Sequence, residues 1–230
     1  MLKSNWRRQR ELKKQSIPGH QEMISIMGRL DTLQEQALFA MAYLTGGRIS
    51  ELVETPFLRQ NKYIWVDSLD KNGNKSKKVK RNENGSPLVE EVIRIPIDYP
   101  GILKCDVNYE KLKGKDLLII SMANRKNKNF TKKRVPIPIF HEKDFVLVIN
   151  EYMKTLKDDE QLFPFKQWRA GVILAKIGMN PHFLRDIRLT HMVTIYGYNA
   201  FQLTKFAGWA NVSPAERYVR LGLGDLVANF

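Results

Sequence analysis

Tyr218 lies near the end of the 230-residue chain, and three short segments bring together residue types that could use its phenol as a nucleophile. A side-chain oxygen that attacks an ester splits one hard displacement into two easier ones through a covalent intermediate. Arg48 and Glu51 stand three apart in Thr45-Gly46-Gly47-Arg48-Ile49-Ser50-Glu51-Leu52 and so share a helical face, where the carboxylate can orient the guanidinium. Asn180-Pro181-His182-Phe183-Leu184-Arg185 enters another helix with His182 and Arg185 on one face, and a helix N-terminus itself attracts a phosphate. Arginine offers a fixed fork of donors that matches two phosphate oxygens, and a histidine beside it can donate a hydrogen bond or move a proton. Trp209 precedes Tyr218 by nine residues and supplies an indole N–H that does not titrate. Taken singly, each segment also fits a structural role: a surface ion pair, a capping histidine, a half-buried tyrosine. No G-x-x-x-x-G-K-[ST] loop and no carboxylate cluster of the two-metal kind occurs, which agrees with a chemistry that uses no metal or other cofactor.

These residues need a scaffold, and the hydrophobic pattern predicts an α+β fold, mainly helical, with a small antiparallel β-sheet on one side. Gln34 to Thr45 is apolar on nearly all sides and stops at Gly46-Gly47, as a buried helix with a glycine C-cap would. A second helix is expected to begin at about Arg48. From Tyr63 to Ile139 the chain changes to short apolar runs at Tyr63–Val66, Val92–Ile97, Leu117–Met122 and Val135–Ile139, separated by basic, Asn- and Gly-rich loops. Pro136 and Pro138 confine the last run to an edge, because proline cannot donate to a ladder. Helical periodicity then predicts Asp144–Leu156, Gln167–Ile177, His182–Tyr196, Ala200–Ala207 and Pro214–Leu221, the last opened by a Ser213-Pro214-Ala215-Glu216 capping box.

Composition bounds the partner. Lys plus Arg number 38 against 24 Asp plus Glu, a net charge of +14 that suits a polyanion. The excess is clustered. Lys71 to Arg81, with Lys77 and Lys78, and Arg125 to Arg134, with Lys126, Lys128, Lys132, Lys133 and Arg134, contain no acid; the N-terminal residues are basic as well. The single Cys105 leaves no partner for an intrachain disulfide. No run reaches the roughly 18 apolar residues of a membrane span, and Met1 to Lys14 lacks an apolar leader, so a cytoplasmic chain without a membrane partner is expected. Residues 1–20 are expected to form a basic arm or linker remnant ahead of one catalytic domain over 21–230.

In order and spacing, the three segments resemble the catalytic domain of the tyrosine recombinase (integrase) family over about Gln34 to Leu221. The family's TGxRxxEL block is matched by Thr45, Gly46, Arg48, Glu51 and Leu52; its HxLR block by His182, Leu184 and Arg185; its Gly-Trp pair and following tyrosine by Gly208, Trp209 and Tyr218. The family also uses a lysine on a β-hairpin ahead of a Val-Pro-Ile strand, here Val135-Pro136-Ile137; the preceding loop offers Lys126, Lys128, Lys132 and Lys133 for it, with Lys126 the first choice and Lys128 the second. The resemblance implies a site-specific recombinase that cuts and rejoins double-stranded DNA through a 3′-phosphotyrosyl bond, for integration or excision of a mobile element or viral genome. It also implies self-association on DNA as a dimer or tetramer. Arg48 and Arg185 would hold the phosphate oxygens, His182 would assist proton transfer, the hairpin lysine would protonate the leaving 5′-oxygen, Trp209 would support a phosphate contact, and Glu51 would orient Arg48. Lys77, Lys78, Lys132, Lys133 and Arg134 are expected to bind DNA phosphates. Nearby cations are expected to favour the Tyr218 phenolate. Two alternatives stay open: DNA relaxation of the type IB topoisomerase kind, and a non-catalytic DNA-binding protein. Family members carry a helical DNA-clamping domain ahead of the catalytic one, so the chain is expected to be either a catalytic fragment or a minimal enzyme.

Overall fold

The computed structural model describes residues 17–69, 75–123 and 132–219. The chain divides into two compact units, one built from the segments before and after residues 55–100 and the other from Thr55–Pro100.

The first unit is the larger. Helix α1 (His20–Met27) precedes α2 (Leu33–Thr45), which starts where Thr32 Oγ1 accepts from the Glu35 amide at 3.2 Å. Because α2 is apolar almost all round, it is buried almost all round, with Leu38, Phe39, Met41, Tyr43 and Leu44 inaccessible. It ends at Gly46, whose left-handed φ of 52° favours glycine, and one turn of helix, α3 (Ile49–Leu52), follows with Arg48 at its N-cap. The helix expected at Arg48 is therefore present but lasts four residues.

After Gly101, a 3-10 turn at Lys104–Asp106 leads into a three-stranded antiparallel sheet. Numbering the four strands of the second unit β1 to β4, these are β5 (Val107–Leu112), β6 (Lys115–Ala123) and β7 (Lys132–Pro138), in spatial order β5-β6-β7. The strand with the two prolines lies at the edge, as proline's missing N–H requires. Helices α4 (Lys143–Lys154), α5 (Gln167–Ala175), α6 (Pro181–Thr194) and α7 (Ala200–Ala207) follow, then a helical segment at 213–219. That last segment starts one residue before its expected first turn, with the Val212 carbonyl accepting from the Ala215 amide at 2.8 Å. Phe145, Ile149, Phe163, Leu174, Leu184 and Leu203 close the core with α2 and with Leu118, Ile120 and Ile137 of the sheet.

The second unit holds two antiparallel pairs: β1 (Thr55–Tyr63) with β4 (Val89–Tyr99), and β2 (Trp65–Leu69) with β3 (Lys75–Val79). Among the described residues, the single sheet expected between Tyr63 and Ile139 is thus three separate antiparallel sheets, and the run Tyr63–Val66 spans the break between two of them. The reason is local. Ile64 donates its amide to the Leu88 carbonyl and accepts at its own carbonyl from the Lys80 amide, so the ladder turns there instead of continuing. The chain is a mainly helical α+β protein.

Candidate active site

Charge gathers around Glu51, which is fully buried on the single turn α3. Arg48 Nη1 donates to Glu51 Oε1 at 3.1 Å and the Arg48 amide donates to Oε2 at 3.0 Å, so one carboxylate caps the turn and fixes the arginine above it. Lys133 Nζ lies 3.3 Å from Glu51 Oε2, its side chain 10% exposed. It reaches the interior because strand alternation turns Lys133, Val135 and Ile137 inward while Lys132, Arg134 and Pro136 face out. Burial raises the Glu51 carboxyl, but Lys133 and Arg48 outweigh it and hold its pKa below the ordinary carboxylate value. Burial also lowers the Lys133 ammonium, partly offset by Glu51 and reinforced by Arg185.

Arg185 enters from α6. Asn180 caps that helix, its side chain accepting from the Phe183 amide at 2.9 Å, with Pro181 at the first position, so the cap is Asn180 and not His182. Arg185 is 7% exposed and donates to the Gly46 carbonyl and, at 3.4 Å, to the Ala207 carbonyl. It is thereby held against the glycine stop of α2. Arg188, one turn further along α6, is inaccessible; it pairs with Glu142 and faces the rings of Tyr43 (5.1 Å) and Tyr196 (5.3 Å). Tyr196 donates to Glu142 at 2.5 Å, and Tyr43 hydrogen-bonds His191 Nδ1 at 2.7 Å. This buried polar network ties α6 to α2 and to the residue ahead of α4, so it sets where Arg185 stands. Sequence reasoning alone misses it.

Arg48, Ile49, Ser50, Gln167, Pro181, His182 and Arg185 line a cavity of about 170 Å³. Two separate sequence blocks therefore meet on one wall. His182 is exposed at this cavity. Tyr218 is not on the wall. It is 7% exposed, and its ring stacks on Trp209 with centroids 5.8 Å apart, while the Arg185 guanidinium lies 5.6 Å over the Trp209 ring. Trp209 thus bridges arginine and tyrosine by its faces.

The Tyr218 hydroxyl donates to Asp186 Oδ1 at 2.5 Å. Burial first, then this hydrogen bond and the charge of Asp186, push the phenol pKa up, with Arg217 and Arg185 opposing more weakly. The expectation that cations favour the phenolate is overturned: desolvation and a carboxylate partner dominate, and Tyr218 is held neutral.

The remaining expected contacts divide. Lys132 donates to Asp106 at 2.9 Å and Arg134 pairs with Glu110, both at the surface. Lys77 and Lys78 are exposed on β3 of the second unit, where an open groove is lined by Trp65, Val66, Lys77, Lys78, Lys80 and Arg81 among others. Lys126 and Lys128 lie outside the described residues, as does most of the N-terminal arm. Among the described residues no group of His, Cys, Asp and Glu could hold a metal ion, and no helix is long and apolar enough to cross a membrane.

No family profile matches the chain, and no curated protein matches it. Solved structures do. The chain is similar to the XerH site-specific recombinase bound to difH substrate in a pre-cleavage complex, with a TM-score of 0.50 and 13% identity over 91% of this chain and 51% of that one. A post-cleavage complex of XerH with palindromic difH substrate gives a TM-score of 0.45 and 11% identity over 91% and 52%. The chain spans about half the length of these proteins. At such identity the likeness is one of fold, and the fold is tyrosine recombinase-like.

Proposed function

We propose that the chain cleaves and rejoins DNA strands by attack of Tyr218 on a phosphodiester, as a site-specific recombinase serving integration or excision of a mobile element or viral genome. The observation that carries this reading is the charge balance of the cluster: Arg48 and Lys133 pair with one carboxylate, Glu51, and the buried Arg185 adds its positive charge at longer range. Buried cations in excess over their counterions are costly unless an anion completes the set, and a phosphate at the cavity wall does so. The similar fold of a recombinase captured with its difH substrate supports the same reading.

In this mechanism Arg48 and Arg185 take the non-bridging oxygens and offset the charge that grows at phosphorus, while Glu51 keeps Arg48 in register. His182, at the cavity mouth, donates to a phosphate oxygen or relays a proton. A lysine of the β6–β7 hairpin, Lys126 by the resemblance and Lys128 after it, protonates the leaving 5′-oxygen, and Lys133 contributes buried positive charge beneath the phosphate. Trp209 works through its faces, seating Tyr218 against Arg185. Lys77 and Lys78 grip backbone phosphates with the strand pair of the second unit, and copies of the chain assemble on DNA.

A suicide duplex carrying a nick beside the cleavage point tests this. Wild-type protein is expected to form a covalent adduct resolved on a denaturing gel, and Tyr218→Phe none. Adduct with strand exchange supports a recombinase; relaxation of supercoiled plasmid without exchange assigns type IB topoisomerase activity. Absence of any adduct removes the nucleophile and leaves DNA binding alone.

A further inference from the structure

We infer that Asp186 accepts the Tyr218 proton as the tyrosine attacks, an assignment that rests on the cleavage reading above. The geometry supplies the contact that proton transfer needs: Tyr218 Oη donates to Asp186 Oδ1 at 2.5 Å, within hydrogen-bond reach. Asp186 follows Arg185 directly on α6, about 100° further round the helix, so one turn presents both the phosphate-binding fork and the proton acceptor. The second carboxylate oxygen, Oδ2, lies 3.8 Å from Arg217 Nη2, and that guanidinium stands 5.5 Å over the Tyr218 ring. The carboxylate is thereby held between α6 and the segment that carries the nucleophile.

The need for an acceptor follows from the state of the phenol. Tyr218 is buried and held neutral, so no phenolate waits in advance, and the proton must leave as the bond to phosphorus forms. A growing Oη–P bond makes the phenol steadily more acidic, which allows a carboxylate to take the proton late in the step. Aspartate takes a substrate hydroxyl proton in the same way in protein kinases. The step balances. The Oη–P bond forms and the phenol proton moves to Asp186; the P–O5′ bond breaks with its electron pair on O5′, which takes a proton from the hairpin lysine. Religation returns each proton by the reverse path. Asp186 is a catalytic residue in this scheme, because it touches the reacting oxygen.

Single-turnover adduct formation on the nicked suicide duplex tests the inference in wild type, Asp186→Asn and Asp186→Glu, with DNA affinity and thermal unfolding measured on each. Asp186→Asn is expected to slow the adduct about 100-fold or more at pH 7 with affinity unchanged, since general-base catalysis contributes on that order. The deficit is expected to narrow as pH rises toward the phenol's own ionisation, and Asp186→Glu to recover part of the rate. A substrate with sulfur at the 5′-bridging position expels a thiolate that needs no proton, so it is expected to leave the Asp186→Asn deficit intact. Wild-type rate or faster in Asp186→Asn would overturn the inference and make the hydrogen bond a mere restraint on Tyr218. A loss equal at every pH, or one that tracks reduced stability, would make Asp186 structural. If Asp186→Asn does not fold, the pH–rate profile of Asp186→Glu decides: an apparent base pKa that moves with the carboxylate supports the inference, and an unmoved profile overturns it. A wild-type protein that forms no adduct fails the cleavage reading itself, a result distinct from all of these.

Discussion

At the residue scale, the site is a problem of unlike burial. Arg48 keeps a quarter of its side chain in solvent, whereas Glu51 has none and Lys133 a tenth. A carboxylate so placed holds two cations at once. Glu51→Gln is therefore expected to destabilise the fold by about 3 kcal/mol, the scale for breaking a buried pair by removing one partner. Urea denaturation measures it, and a loss under about 1 kcal/mol would mean that the cluster is already hydrated. The Arg48 and Glu51 pairing is readable from their spacing of three; the second cation is not. In the sequence Lys133 is one more lysine in a basic loop, and the signal that distinguishes it is its period-two relation to Val135 and Ile137. Asp186 offers no signal beyond standing beside Arg185, because its meeting with Tyr218 spans 32 residues.

At the element scale, the chain places its candidate site residues at element ends. Arg48 caps α3, His182 and Arg185 sit in the first turn and a half of α6, and the Gly46 carbonyl that receives Arg185 is the end of α2. One glycine governs the return of the chain to this region. Gly101 adopts φ +92°, and a Cβ there would come within 2.7 Å of the Leu52 carbonyl, at the end of α3. Gly101→Ala is expected to cost about 2 kcal/mol or more, since strain from the left-handed φ adds to a backbone clash that no side chain can relieve. Gly85→Ala, with φ +75° but open space, is expected to cost about 1 kcal/mol. Equal midpoints for the two variants in chemical denaturation would rule out the clash. Helices α2, α6 and α7 are readable because apolar periodicity and their caps agree. Strands β3 and β5 are not, for Lys75–Val79 and Val107–Leu112 are mostly polar in sequence, and pairing alone makes them strands.

At the scale of the whole molecule, two global responses follow. His191 is 4% exposed, and burial, with Arg188 beside it, lowers its pKa to about 4. Between about pH 6.5 and 4 the unfolded chain binds a proton at this residue that the folded chain refuses. Stability therefore falls as pH falls through that window, by about 3 kcal/mol in all at 1.36 kcal/mol per pH unit. His191→Gln is expected to flatten that slope, and an unchanged slope in urea titrations from pH 7 to 4 would acquit the histidine. The second response belongs to the net charge of +14. DNA affinity is expected to fall linearly in log–log with salt, and Lys77→Ala with Lys78→Ala to reduce that slope by about 2, one for each phosphate no longer neutralised. A slope unchanged in the double variant would remove the second unit from the DNA interface.

The sequence by itself determined the helical framework and the edge position of the proline strand, and it named the candidate chemical groups. Those properties rest on short-range physics: periodicity, caps, glycine φ and the missing proline N–H act within a few residues. Only the tertiary structure decided the states of those groups. Whether Tyr218 is neutral or ionised depends on the depth of its burial and on Asp186, and the place of Arg185 depends on a carbonyl 139 residues away and on the buried pairing of Arg188, on the same helix, with Glu142 ahead of α4. Desolvation and long-range pairing are set by what the folded chain brings near, and spacing along the sequence carries no measure of either.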